Sequence, residues 1–163
     1  MIYLVGCYHA LQYHKQLRRY DMLKLAAARE QYVSFVRTTI SDKHISLLAE
    51  EFSESALEYL KAKSYLQEVA RQTGIEHRFC DPNEAERIQI GLPSPFADTL
   101  DDAQLRINHT IREKYWLEKI SDRLDSPTIF VCGSDHIAGF TNILKSRSIE
   151  NVIIREFCEN DVL

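Results

Sequence analysis

Cysteine is scarce in this chain, with four residues at positions 7, 80, 132 and 158 of 163. Spacing that wide excludes zinc-knuckle pairs, and the count is too low for a fold built on disulfides. Three of the four follow apolar strand patterns, where cysteine behaves as a small buried hydrophobe, so no chemistry is assigned to them. Long apolar runs are missing as well. The longest are strand-sized, such as Ile2 to Val5, against the roughly 20 residues that a membrane helix needs. The N-terminus opens on a strand pattern without the basic and apolar order of a secretory leader, so a cytoplasmic protein with no membrane association is expected. Charge of one sign is not in excess either. Twenty basic residues against twenty-four acidic ones leave a net charge of −4, which gives nucleic acid no overall electrostatic footprint. The local basic run Lys15 to Arg19 reads as a solvated face.

What is present is 45% apolar residues, enough in a chain of this length to cover both faces of a sheet in a single domain spanning 1–163. Ile2 to Val5, bounded by Gly6, predicts a first strand. Met22 to Ile40 has helical periodicity, and Ile45 to Ala49 predicts a second strand that stops at Glu50-Glu51. Ser53 as an N-cap, apolar positions from Ala56 to Ala70 and Gly74 as a stop predict one helix, followed by a third strand over Ile75 to Cys80. The stretch from Asp81 through Gly91, Pro93 and Pro95 reads as an irregular loop. A long amphipathic helix from Asp101 to Leu124 carries Trp116 on its apolar side and ends before Pro127. Thr128 to Cys132 is a fourth strand, a helix follows Gly133-Ser-Asp-His136, and Val152 to Ile154 is a fifth strand. This alternation specifies a three-layer α/β domain with a mostly parallel sheet of about five strands flanked by helices.

Ligands of such domains bind at the carboxyl ends of the strands. That rule gathers His9, Glu50, Glu51, Asp81, Asp135 and His136 on one rim. Two Gly-x-x-His turns, each directly after an apolar strand, hold a histidine at the mouth of the sheet, where glycine permits a sharp turn and close backbone approach. Two imidazoles and a carboxylate suit a divalent transition metal such as manganese, cobalt or zinc. His9, Glu51 and His136 are the candidate ligands, with Glu50 as base or second ligand. The two glutamates would point to opposite faces if the strand continued, so one of them reaches the rim centre. Asp135 either orients an imidazole or caps the following helix. Arg112, beside Glu113 on the long helix, either clamps an anionic group or pairs with acids. Asp81, Arg87, Glu113 and Asp135 are placed around the metal or the substrate. His14, His44, His77 and His109 lack a strand-end context and are left out of the site.

With Gly6-x-x-His9, Glu50-Glu51, Arg112-Glu113 and Gly133-x-x-His136 in this order, the sequence resembles the TraB, PrgY and Tiki group of the erythromycin-esterase and ChaN-like superfamily over most of its length. The resemblance implies functional roles for His9, one of Glu50 or Glu51, Arg112 and His136, and metal-dependent proteolysis as known of the Tiki proteins. Cys7 and Tyr8 replace the small residues usual between glycine and histidine. The segment Asp81 to Arg87 also resembles one in short bacterial proteins of unknown function. Two functions are therefore carried forward: a metal-dependent hydrolase acting on a small-molecule or peptide substrate, and a regulatory module of the same fold that binds a small anion or a partner without turnover. The pattern leaves assembly as a homo-oligomer open.

Overall fold

In a computed structural model of the chain, residues 1–13, 22–93 and 101–157 are described. The basic run Lys15 to Arg19, His14, Pro95 and Cys158 lie outside them. Five strands, β1 (Ile2–Cys7), β2 (Leu47–Glu50), β3 (Glu76–Phe79), β4 (Thr128–Gly133) and β5 (Asn151–Phe157), form one sheet in the order β3-β2-β4-β1-β5. Every pairing is parallel. Among the described residues six α-helices accompany them: α1 (Met22–Asp42), α2 (Glu54–Leu60), α3 (Tyr65–Thr73), α4 (Glu84–Gln89), α5 (Asp102–Lys119) and α6 (Ile137–Ser146).

The central strands are apolar on both faces because both faces are covered. Val5, Leu48, Ile129 and Val131 pack with Leu25, Tyr32 and Val36 of α1 and Leu66 and Val69 of α3. Leu4, Leu47, Ala49, Phe130 and Cys132 pack with Trp116 of α5 and Phe140 and Leu144 of α6. The chain steps one way along the sheet from β1 to β2 to β3, then the other way from β3 to β4 to β5. Right-handed crossovers running in opposite directions lie on opposite faces, which is why α1 and α3 share one layer while α5 and α6 share the other. The reversal falls between β2 and β4, and their carboxyl ends form the crevice of the fold.

Local chemistry adjusts several expected boundaries. The helix expected from Ser53 to Gly74 is two helices. Lys61 adopts a left-handed conformation (φ 50°, ψ 46°) that closes α2, and Ser64 accepts hydrogen bonds from Leu66 N and Gln67 N to start α3. The stretch after Asp81, expected to be irregular, contains α4, opened by a capping box between Asn83 and Glu86. α5 begins at a second capping box, between Asp101 and Gln104, and ends at Lys119 with a 3-10 turn over Ser121–Arg123 in place of its last helical turn. β5 extends to Phe157 along the edge of the sheet. Among the described residues no helix is long and apolar enough to cross a membrane.

Candidate functional site

Alternation along β2 sends its two terminal glutamates to opposite faces. Glu50 turns toward α3, where its Oε1 accepts from Ser64 Oγ at 2.5 Å and lies 2.8 Å from His77 Nε2. Glu51 turns toward α5 and enters the crevice. Its Oε2 accepts from Gly133 N at 2.6 Å, a bond that ties the end of β2 to the end of β4. Its Oε1 accepts from Arg112 Nη2 and lies 3.4 Å from His136 Nε2 and 3.9 Å from His9 Nε2.

Each histidine is oriented from behind. His9 Nδ1 meets Gln12 Oε1 at 2.7 Å, and His136 Nδ1 meets Glu113 Oε1 at 2.9 Å. An amide oxygen and a carboxylate can only accept, so Nδ1 carries a proton in both rings, and in the neutral tautomer of each the Nε2 lone pair is on the side of Glu51. Arg112 Nη1, which can only donate, approaches His136 Nε2 at 3.1 Å and agrees with that tautomer. His9 is half exposed at the mouth, whereas His136 is buried, edge-to-face with Trp116 at 4.8 Å between ring centres and tilted against His109 at 4.0 Å.

Arg112 is anchored on three sides. Its Nε donates to Asp81 Oδ1 at 2.8 Å, and Asp81 in turn accepts from Trp116 Nε1 at 3.0 Å and from Arg87 Nη1 at 3.2 Å. Burial opposes the charge on Arg112, but the carboxylates of Glu51 and Asp81 outweigh it and raise the guanidinium above its usual range. Burial likewise opposes ionisation of Glu51, and Arg112, then His9 and His136, then the Gly133 N–H overcome it, so the carboxyl is held down at about 2. His109 is shifted toward the neutral form by burial and by the neighbouring His136 and Arg112. Cys7 and Cys132 flank this rim, with thiols pushed well up by burial and then by the Glu51 charge. They are inert at neutral pH.

The cleft, of about 420 Å³, is lined by His9, Glu51, His109, Arg112, Asp135 and His136 together with the Gly133-Ser134 backbone, Cys7, Tyr8 and Phe157. Gly133 owes its place to close approach: its φ of −58° is ordinary, yet a Cβ there would lie 3.0 Å from His9 Nε2 and 3.4 Å from Glu51 Oε2. Gly139 on α6 serves Glu113 in the same way, since a Cβ would fall 2.5 Å from its Oε2.

The expected residues His9, Glu51, Arg112, Glu113, Asp135 and His136 thus meet around one crevice, with Asp81 and Arg87 behind Arg112. Glu50 does not join them. Asp135 lines the cleft, but neither alternative weighed for it is realised: Glu113 orients His136, and α6 starts without a side-chain cap. Arg112 is engaged with acids. Three further residues belong to the polar clusters of the rim. Gln12 fixes His9 and His77 pairs with Glu50; His109 shares the cleft, and His109, Glu113 and His136 each offer a ligand atom within 4.8 Å of the others. The signal for His109 was its four-residue spacing from Glu113 on one helix face. His77 had none, because its partner is set by which strand lies beside β3.

A doubly wound α/β domain with a buried glutamate–arginine–histidine cluster at its switch point is the class that this fold and site define. Comparisons with protein-family models, with curated proteins and with solved structures find no match for the chain.

Proposed function

We propose that this protein is a metal-dependent hydrolase of the kind the TraB, PrgY and Tiki resemblance implies, with a divalent ion held by His9 Nε2, Glu51 and His136 Nε2. The observation that carries this reading is the shared orientation of the two imidazoles. Gln12 and Glu113 tie down both Nδ1 atoms, and both Nε2 atoms face one carboxylate oxygen, Glu51 Oε1, at 3.9 and 3.4 Å. Carboxylate or carbonyl support behind a ligating histidine is the usual way such ligands are aimed and made more basic. A divalent ion there supplies a lowered pKa for water and polarises a carbonyl or phosphoryl oxygen. Manganese, cobalt and zinc all suit a donor set of imidazole and carboxylate. Glu50, on the opposite face, is not in position to act as the base. His109, neutral and on the cleft wall, is the group that can take a proton there. A peptide is the first substrate class to examine.

A second placement of the ion, on His109, Glu113 and His136, has its own support in the mutual proximity of their ligand atoms. Calorimetric titration with manganese and zinc separates the two. For the first placement, His9→Ala and His136→Ala lose most of the binding heat while His109→Ala and the control His44→Ala retain it. Loss in His109→Ala with retention in His9→Ala moves the ion to the second placement. Equal heats from all four variants and the wild type remove the metal reading and leave the non-catalytic binding module. Against that module stands the state of Arg112, the one arginine or lysine among the described residues lining the cleft, whose contacts go to Asp81, Glu51 and His136.

A further inference from the structure

The atoms proposed to hold the ion already hold a cation. Arg112 Nη2 donates to Glu51 Oε1 and Nη1 donates to the Nε2 lone pair of His136 at 3.1 Å. These are the carboxylate oxygen and the imidazole nitrogen on which, with His9 Nε2, the first placement rests. A lone pair that accepts a hydrogen bond cannot at the same moment bind a metal. A guanidinium and a dication in contact with the same carboxylate oxygen also repel each other strongly in a buried setting.

We infer that Arg112 is a built-in counter-cation: without metal it neutralises Glu51 and keeps the ligand atoms in place, and it must leave Glu51 and His136 for an ion to enter. The inference rests on the metal reading proposed above and adds the competition within it.

The anchoring supports such an exchange. Arg112 grips Asp81 through Nε, whereas its contacts to Glu51 and His136 run through the two terminal nitrogens. Rotation about the bonds beyond Nε is hindered by guanidinium planarity, so release turns the whole fork about the side-chain stem. Asp81 stays behind as a fixed acceptor, because Trp116 Nε1 and Arg87 Nη1 both hold it. The guanidinium carbon itself lies over the Trp116 ring, 5.3 Å from its centre. The displaced fork has the cleft in front of it, and that cleft is where substrate would sit. Metal entry and the freeing of an arginine for an anionic substrate group are therefore one event in this arrangement, and the arginine sets the threshold for it.

The charge count points the same way. Glu51, Asp81 and Glu113 face Arg112 and Arg87 across the cluster. Without Arg112 the buried carboxylate of Glu51 loses its guanidinium partner while Asp81 keeps Arg87, which raises the attraction for a dication while weakening the metal-free fold.

The test is calorimetric titration of the wild type, Arg112→Met and Arg112→Lys with manganese and with zinc, together with thermal melts with and without each ion. Arg112→Met is expected to bind at least tenfold more tightly than the wild type, and to melt lower without metal but recover on its addition. Arg112→Lys, whose single ammonium cannot engage Glu51 and His136 through a planar fork, is expected to fall between the two. Should Arg112→Met fail to fold even with metal, Arg112→Lys alone decides. Wild-type binding with equal or weaker binding by the variant that folds overturns the competition and leaves the metal reading standing. Binding of neither ion by any of the three proteins overturns both.

Discussion

Glu51 concentrates most of the site's electrostatics in one side chain, and pH exposes it. Its carboxyl, ordinarily ionising at 4.5, is held at about 2 in the folded protein. The unfolded chain therefore takes up the proton first as pH falls. The stabilisation from Glu51 is complete above about 4.5, declines below that, and is gone once pH has passed through about 2. It amounts to roughly 3 kcal/mol. Glu51→Gln should lower stability at pH 7 by about 3–5 kcal/mol, since it leaves Arg112 buried with a neutral amide in place of its partner. It should also flatten the acid limb: denaturant melts between pH 5 and 2 should show the wild type losing stability more steeply than the variant. Parallel slopes would mean that Glu51 is not the group titrating there. A glycine beside the site gives a further test. Gly139 is in the first turn of α6, where alanine would normally be favoured by up to about 1 kcal/mol, but its Cβ would collide with the Glu113 carboxylate. Gly139→Ala should therefore destabilise the protein in thermal melts, whereas an increase in stability would show that Glu113 moves aside freely. How much of the site could be read from residue order follows the same division. His9, Glu51, Arg112 and His136 were legible because each follows a strand or lies on a helix at a recognisable motif. The choice between Glu50 and Glu51, and the true partner of His136, depended on strand phase and on helix packing, which no local pattern encodes.

At the scale of elements, α5 does the most to build the cleft. One face of this helix delivers His109, Arg112, Glu113 and Trp116, four residues spaced for neighbouring turns. Trp116 is fully buried, packs on Phe130 and Phe140 and donates to Asp81. Trp116→Ala should cost about 3–5 kcal/mol in denaturant melts, and unchanged stability would contradict its place between the sheet and the Arg112 anchor. The periodicity of α5 was legible, and so was its start, because Asp101 and Gln104 form a capping box three residues apart. The break between α2 and α3 was not. Ala56 to Ala70 keeps an apolar rhythm across it, and the interruption rests on a left-handed lysine at 61, a conformation that sequence rarely announces. Its consequence is specific: Ser64 both caps α3 and donates to the buried carboxylate of Glu50. Ser64→Ala removes the cap, worth about 1 kcal/mol, and a partner of a buried acceptor, worth a further 1–3 kcal/mol. The summed loss should exceed that of Ser53→Ala, which removes the cap of α2 and a contact to the Ser55 hydroxyl but no partner of a buried carboxylate. Equal losses would show that the contact between Ser64 and Glu50 is energetically neutral.

For the molecule as a whole, alternating strands and helices were enough to specify three layers and a parallel sheet, and the rule for such sheets located the rim. The strand order β3-β2-β4-β1-β5 was beyond reach, because parallel neighbours are chosen by crossovers whose lengths fit more than one arrangement. That order is what puts Glu51 beside Gly133, and so it decides whether the separate motifs form one site. If they do, metal binding should be felt by the global fold. An ion that binds only the native state at a hundred times its dissociation constant adds about 2.7 kcal/mol, which for a domain of this size raises the melting temperature by roughly 5–10 °C. A strand-end position alone suggests that removing either imidazole would leave the metal-free melt unchanged, but burial separates the two. His9 is half exposed and its removal should be nearly silent without metal. His136 is packed against Trp116 and His109 and satisfies Glu113, so His136→Ala should lower the metal-free melt by an amount equivalent to about 1–3 kcal/mol. With manganese or zinc added, the wild type should gain stability and both variants should fail to do so. The informative case is His9→Ala. A variant with wild-type stability and no metal-induced shift would separate ligation from folding at this rim, while a full shift would mean that the ion is held elsewhere and that His9 is only a neighbour of the cleft.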